Sequence, residues 1–455
     1  MFSKNNSTIV ALSTPQGFGG LSVVRLSGSN SLDIIKKIFA SSREIKHCRA
    51  TFGQIYDLED NSHLDSSVVT YFKAPHSYTG EDIIEISCHG SPYITEHIAA
   101  LCIKSGARLA DPGEFTKRAF LNGKIDLIQA EGTADLIFSL TKASHKASIN
   151  LLEGKTGQAI KYCRKTLIDT IALLELELDF SEEEIEFTPV SKIISTLSGL
   201  TEEISRLVQS YNYGKMVKQG LLVPIVGPPN SGKSSLLNAF LQEERVIVSP
   251  HPGTTRDTIE ESFQKGGFQF RLIDTAGLRK TDDSIEGLGI SRTLDNIDNA
   301  DIILFVIDVT RPVIEFLPYF PKNANNTIIV INKIDIASEK QINAMTTYFQ
   351  KQDMVMTSAK KHYGIHEIAD IMVLTAKSKA PKAENVIITR KRHRDALSKA
   401  LNSIIESLDN AKNEHSSEIV VVDLRIALEA LDEILGKTTN EDILNTIFSN
   451  FCIGK

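Results

Sequence analysis

The sequence predicts a multidomain chain of α+β and α/β parts: an N-terminal α+β domain, a helical domain, and an α/β domain inserted into the helical one. Three observations predict it. Strand and helix signals mix up to about residue 118; strand signals then vanish from Ala119 to about Ser210 while apolar residues recur at helical spacing. From Gln219 to about Lys377 strands and helices alternate, the pattern of a mainly parallel sheet covered on both faces, before helical periodicity returns. Helical stretches on both sides of an α/β unit are what an insertion leaves. The expected boundaries are 1–118, then 119–214 together with 379–455, and 219–377 for the insertion.

In the first part, Thr8–Leu12, Leu21–Leu26, Val68–Phe72 and Ile83–Ser87 are strand candidates separated by Gly and Pro loops, and Ser31–Phe39 and Tyr93–Ser105 are helix candidates. In the helical part, Ile160, Leu167, Ile171, Leu174 and Leu178 share a face, as do Leu397, Leu401, Ile404, Ile405 and Leu408 near the end.

Length agrees with this division, since 455 residues exceed one core and a prior of about 150 residues per domain gives three. With 42% hydrophobic and 24% charged residues and no low-complexity tract, the composition is globular. The longest apolar runs, Leu221–Val226 and Ile302–Val309, fall far short of the roughly 18 residues of a membrane span. The opening MFSKNNSTIVAL has neither the apolar core of a signal peptide nor the arginine-rich helix of a transit peptide. Cys48, Cys88, Cys102, Cys163 and Cys452 are scattered without a CxxC pair, which fits reduced thiols rather than disulfides or zinc, so a cytoplasmic location is expected. The net charge of -7 gives no global attraction to nucleic acid, so any RNA contact must be local. Two basic runs, Lys117, Arg118 and Lys124, and Arg390, Lys391, Arg392 and Arg394, are either such contacts or solvated helix faces.

The inserted region carries the chemistry. A strand-like LLVPIV ends at Gly227, and Gly227-Pro228-Pro229-Asn230-Ser231-Gly232-Lys233-Ser234 leads through Ser235 into a helix. In such a loop backbone N–H groups and the helix N-terminus attract phosphate, Lys233 reaches the β- and γ-phosphates, and Ser234 places a hydroxyl on magnesium. Phe268–Ile273 delivers Asp274-Thr275-Ala276-Gly277, where the acid can hold Mg2+ through water and the Gly277 N–H can face a γ-phosphate. Between them, Ser249-Pro250-His251-Pro252-Gly253-Thr254-Thr255 sets Thr255 to close over the metal when that phosphate is present. The strand Ile328–Ile331 ends in Asn332-Lys333-Ile334-Asp335, whose carboxylate can accept from guanine N1 and N2, and Ser358-Ala359-Lys360 offers a backbone donor to guanine O6. The ligand is therefore GTP. Ras-like proteins place a water-orienting glutamine after Asp-x-x-Gly; here it is Leu278, so hydrolysis needs another group, and Glu286 is the candidate within the acidic stretch that follows.

Beyond these motifs, the stretches TPQGFGGLSVVRLSG, TGEDIIEISCHG, DPGEFTKRAFLNGKIDLIQAE, GTTRD, DTAGLRKTDDSIEGLGI and the terminal FCIGK resemble the MnmE (TrmE) family, tRNA wobble-uridine modification GTPases of the TrmE-Era-EngA-like P-loop class, over essentially the whole chain. The resemblance implies a homodimer formed through the N-terminal domain, which also binds a 5-formyltetrahydrofolate-type one-carbon donor through Arg25, Glu85, Lys124 and Lys455. It implies stimulation by K+, held by Asn230, Ser249, the His251 carbonyl and Thr254 where an arginine finger would lie, although the family often has Thr at the Ser249 position and an apolar residue at the His251 position. Glu286 falls on the family's catalytic glutamate, which orients water when two G domains meet, with Lys233 and Asn230 completing the catalytic set.

The resemblance further implies the FAD-dependent partner MnmG (GidA) and tRNA as substrate; FAD belongs on the partner, since no GxGxxG fingerprint occurs here. Cys452 superficially fits a prenylation frame, but Gly454 and the terminal lysine argue against it; the resemblance makes it a modification-centre thiol, with a buried inert thiol as the alternative. Two other classes compete. A ribosome-assembly GTPase predicts a KH-like GxxG segment or a basic appendage, and neither is visible; a regulatory GTPase would use the helical regions as effectors.

Overall fold

The computed structural model describes residues 7–179, 189–243, 260–274, 297, 299–321, 326–380, 386–438, 441–449 and 451–454. The chain divides into two compact units: Met1–Ala134 with Leu151–Leu197 and Asn402–Lys455, and Asp135–Asn150 with Ser198–Leu401.

The first unit is built on a sheet of β1 (Ile9–Leu12), β2 (Gly19–Ser27), β3 (Phe39–Ala40), β4 (Ala50–Tyr56), β5 (His63–Phe72), β6 (Ile83–Gly90) and β7 (Arg108–Leu109), in the order β3-β4-β5-β6-β2-β1-β7. Pairing is antiparallel except at the β1–β7 edge. Alternation along β2 and β6 sends Val24, Leu26, Ile84, Ile86 and Cys88 into one core with Ile34 and Ile35 of helix Ser31–Ile38 and Ile98 and Leu101 of helix Pro92–Lys104. Arg25 and Glu85, out of phase with that core, face the other side. Strand β4 was missed in the sequence because Gly53 interrupts its apolar signal. A Cβ there would stand 2.4 Å from the Ala40 carbonyl oxygen and 2.5 Å from Phe39 Cζ, so close strand approach, not propensity, selects the residue.

Helices Glu114–Leu121, Leu127–Ile137, Lys142–Leu152, Lys155–Asp179, Val190–Gln209 and Tyr211–Gln219 run through the predicted helical stretch and past both its ends, and Lys391–Lys412, Ser417–Leu435 and Glu441–Ser449 follow the insertion. Lys155–Asp179 packs along Ser417–Leu435, with Arg164 paired to Asp432 and Arg425 to Glu175. On helix Lys391–Lys412 the stripe holds for Leu397, Ile404 and Leu408, but Ile405 is 39% exposed, as its position about 100° around the axis from Ile404 requires.

In the second unit β8 (Leu221–Val226), β9 (Glu260–Lys265), β10 (Phe268–Asp274), β11 (Ile303–Asp308), β12 (Thr327–Asn332) and β13 (Met354–Met356) form a sheet ordered β13-β12-β11-β8-β10-β9. All neighbours are parallel except β9 on β10. Every residue of β11 and β12 is buried, as helices on both faces of a parallel sheet demand. The strand order reverses at β8, which lies between β10 and β11, and open α/β sheets bind ligands beyond the carboxyl ends at such a switch point. Among the described residues, no helix is long and apolar enough to cross a membrane.

Candidate functional site

At the carboxyl end of β8 the chain turns through Gly227 to Gly232 and enters helix Lys233–Glu243. Both glycines are dictated by space as well as by their φ of +145° and +97°. A Cβ on Gly227 would meet the Val306 carbonyl oxygen at 2.2 Å, and one on Gly232 would meet Asn332 Nδ2 at 2.2 Å. Asn230 also sits in the left-handed region, at φ +63°, which asparagine tolerates better than most side chains. Lys233 Nζ donates to the carbonyls of Gly227 (2.9 Å) and Pro228 (2.8 Å), so the ammonium lies within the loop it serves. Ser231 is buried, and its Oγ has no hydrogen-bond partner.

Two other strand ends of the sheet, β10 beside β8 and β12 beyond β11, converge on the loop. Ser234 Oγ donates to Asp274 Oδ2 at 2.8 Å, bringing the first helical turn and the end of β10 to one point. From β12, Asn332 Nδ2 donates to the Ser231 carbonyl at 3.0 Å while its Oδ1 accepts the Ala359 N–H at 3.0 Å. Asn332 is thus a strut between the phosphate loop and the Ser358–Lys360 segment. The Ala359 N–H, one of the donors the sequence offers to guanine O6, is committed to that strut here.

Lys333, in the left-handed region, donates to the Asn230 carbonyl (2.8 Å) and Asp308 Oδ2 (2.6 Å), tying β11, β12 and the loop together. Burial alone would push the Asp308 carboxyl up; hydrogen bonds from Lys333 and Thr310 outweigh it and hold the group below its ordinary value. Ser358 Oγ donates to Asp335 Oδ1 at 2.7 Å and keeps that carboxylate below the usual range. A carboxylate has about four lone-pair sites, so Asp335 retains capacity for two more donors. Asp308 was not singled out in the sequence; the signal was an acid closing a buried strand, matched by Lys333 closing the next. Ser249, Pro250, His251, Pro252, Gly253, Thr254, Thr255, Thr275, Ala276, Gly277, Leu278 and Glu286 lie outside the described residues.

In the first unit a second constellation forms. Arg25 and Glu85, directly opposed on β2 and β6, pair through Nε (3.0 Å) and NH2 (2.7 Å) to one carboxylate oxygen. The C-terminal segment reaches the same place: the Gly454 carbonyl accepts from Ser13 Oγ (3.1 Å) and from Arg25 NH1 (3.4 Å). Lys124 donates to the Pro75 carbonyl at 3.0 Å, and Lys455 lies outside the described residues. Cys452 is exposed, which removes the buried-thiol alternative; the buried thiols are Cys88, Cys102 and Cys163, with burial pushing Cys88 up to about 11 and Cys102 to about 12.

Neither basic run is simply a solvated face. Arg118 is buried between Glu114 (2.8 Å) and Glu81 (2.9 Å), in a network that Arg108 and Ser27 complete; Lys117 bonds Asn445. Arg390 pairs with Asp135, and Arg394 pairs with Asp395 and lies over the Tyr211 ring. Glu81, Asp135 and the Tyr211 ring, distant in sequence, draw Arg118, Arg390 and Arg394 to partners, whereas Lys391 is exposed. Among the described residues no three His, Cys, Asp or Glu side chains are arranged to hold a metal ion.

A glycine loop between strand and helix, an acid at the end of the strand on one side and an Asn-Lys-x-Asp strand end on the other side define a P-loop GTPase domain. Family models extend the assignment to the rest of the chain: residues 8–124 match "GTP-binding protein TrmE N-terminus" and residues 127–452 match "MnmE helical domain". The chain is 42% identical over 451 residues to the tRNA modification GTPase MnmE of Aquifex aeolicus, covering 98% of this chain and 99% of the relative. It is 40% identical to the protein of that name from Flavobacterium johnsoniae, covering 99% and 100%. The chain therefore belongs to the MnmE (TrmE) family of tRNA modification GTPases, with an N-terminal domain, a helical domain and an inserted G domain. Among solved structures, the FeoB G-domain from Methanococcus jannaschii matches at 24% identity and TM-score 0.26, covering 34% of this chain and 98% of that one.

Proposed function

We propose that the protein hydrolyses GTP in the cytoplasm to support addition of an aminomethyl or carboxymethylaminomethyl group to C5 of the wobble uridine of tRNA. It would work as a homodimer and together with an FAD-dependent partner, MnmG. The observation that carries the nucleotide half is the meeting of Ser234, Asp274 and Asn332 around one glycine loop at the carboxyl ends of three strands of one sheet. The domain boundaries in this reading are 1–118, 119–214 with 379–455, and 219–377.

Asn230 to Ser235 would enclose the phosphates, with Lys233 on the β- and γ-oxygens. Ser249 to Thr255 and Asp274 to Gly277 would read the γ-phosphate, and Asn332, Lys333, Asp335 and Ser358 to Lys360 would bind the base. Ser234 and Thr255, with Asp274 through water, form a hard-oxygen set suited to Mg2+, and the 2.8 Å contact between Ser234 and Asp274 fits a shared ion. Asn230, Ser249, the His251 carbonyl and Thr254 would hold K+, which supplies positive charge where a GTPase partner otherwise inserts arginine. Glu286 would orient water when two G domains meet.

At the N-terminal sheet, Arg25, Glu85, Lys124 and Lys455 would hold a 5-formyltetrahydrofolate-type donor: an acid for pterin donors, cations for its carboxylates. The Arg25–Glu85 pair and the Gly454 carbonyl beside it support that fit. Cys452, exposed two residues before Gly454, would stand beside this centre.

GTP turnover by the full chain in potassium and in sodium tests the reading, with Glu286→Ala alongside. Equal rates in the two salts would remove the potassium assignment, and an unimpaired alanine variant would remove Glu286.

A further inference from the structure

Helix Tyr211–Gln219 runs into β8 through Gly220, and residues 386–390 bring the chain back into helix Lys391–Lys412. These two crossings are fastened to each other. The Ile388 N–H donates to Ser210 Oγ at 3.0 Å, and Gly214 lies so near that a Cβ on it would stand 2.1 Å from the Ile388 carbonyl oxygen. The Arg394 guanidinium lies 4.8 Å over the ring of Tyr211.

A third segment joins them. Helix Leu127–Ile137 contributes Asp135, whose Oδ1 accepts from Lys218 Nζ at 2.9 Å and from Arg390 NH2 at 2.7 Å, with the carboxylate side chain 10% exposed. One oxygen thus binds a cation from the entering helix and another from the leaving segment. Taking either cation away leaves a buried carboxylate half-compensated, so the three groups act as a unit.

We propose that Asp135 is a positioning residue for the inserted domain: it locks the entering helix to the leaving segment, so that displacements of β8 accompanying nucleotide binding pass through the clamp to helix Leu127–Ile137. The path to it is continuous. Ser234 meets Asp274 at the end of β10; β10 pairs with β8 from Asp274↔Ile225 back to Phe270↔Leu221; and Leu221 follows Lys218 by three positions. The inference rests on the guanine-nucleotide reading and not on the folate or uridine readings.

Amide hydrogen exchange of the full chain with and without GDP tests it. In the parent, GDP is expected to slow exchange in residues 127–137 by about fivefold or more, the lower end of ordinary allosteric coupling. In Asp135→Asn the slowing should fall below about twofold while affinity for a fluorescent GDP analogue is retained, and Asp135→Glu should restore part of it. Full protection in Asp135→Asn, or none in a parent that binds GDP, overturns the proposal. Should Asp135→Asn fail to fold, Lys218→Met, Arg390→Met and their double variant decide: a clamp predicts that the double loses no more protection than the worse single, and additive losses refute it. A parent without GDP affinity would instead overturn the nucleotide reading, and this inference with it.

Discussion

The two sheets of this protein place their chemistry by opposite means. In the inserted parallel sheet, functional groups sit at consecutive positions where β8, β10 and β12 end, so each motif is contiguous and its neighbours are brought in by strand order alone. In the N-terminal antiparallel sheet the candidate groups come from strand middles and from the far end of the chain; Arg25 meets Glu85 60 positions away and Gly454 429 positions away. A parallel sheet therefore collects a site at the carboxyl ends of its strands, whereas an antiparallel sheet assembles one on its face by cross-strand register.

The contrast can be broken at either end. The largest effect is expected for Lys233→Ala, which should cut GTP turnover by about 100- to 1000-fold, the usual loss on removing a charge-stabilising donor, while the proposed 5-formyltetrahydrofolate binding, measured calorimetrically, stays unchanged. Loss of both activities together would show that the two sites are not built separately. Next, Asp335→Asn should weaken GDP binding by about 1.5–3 kcal/mol, roughly 10- to 150-fold, the range of hydrogen bonds to a charged group. Fluorescent GDP and xanthine-nucleotide titrations check it, since the amide should favour xanthine.

A smaller loss is expected in the other sheet. Gly454 has φ +92°, and a Cβ on it would stand 2.2 Å from the Leu12 carbonyl oxygen, so Gly454→Ala should undock the terminal segment. Folate-type ligand binding should fall about tenfold, with GTP turnover intact and a cost of about 1–2 kcal/mol confined to that segment. Unaltered ligand binding would detach the C-terminal segment from the candidate site.

The smallest effect concerns pH. Asp308 has its carboxyl lowered in the fold, so its contribution is complete above the ordinary value of 3.8 and is lost as pH falls through the lower, folded value. Chemical denaturation of the parent and of Asp308→Asn should therefore show a stability gap that is constant at neutral pH and closes below 3.8. A gap that persists in stronger acid would mean the Lys333 contact is not what Asp308 supplies.

This difference between the sheets also explains what could be read from sequence. The loop from Gly227 to Ser234, Asp274, Asn332 and Asp335 were legible because spacing along the chain fixes their places. The role of Asn332 as a strut was not, because it depends on two carbonyl and amide groups from other loops. Strand β4 escaped because its glycine is selected by the Phe39 ring, and Arg118 and Arg390 read as surface charge because Glu81 and Asp135 reach them only in three dimensions. Arg25 and Glu85 came from family resemblance; nothing in either strand announces the other.

The docking of Gly454 against Ser13 and Arg25 has a consequence for synthesis. Ser13 leaves the ribosome 441 residues before its partner does. At about 5–20 residues per second that is a delay of about 20–90 s, long compared with the folding of most single domains. During that interval the β1–β2 face must stand without the segment that seals it, so a growing chain passes through a stage in which its G domain can fold while its N-terminal candidate site is still unfinished.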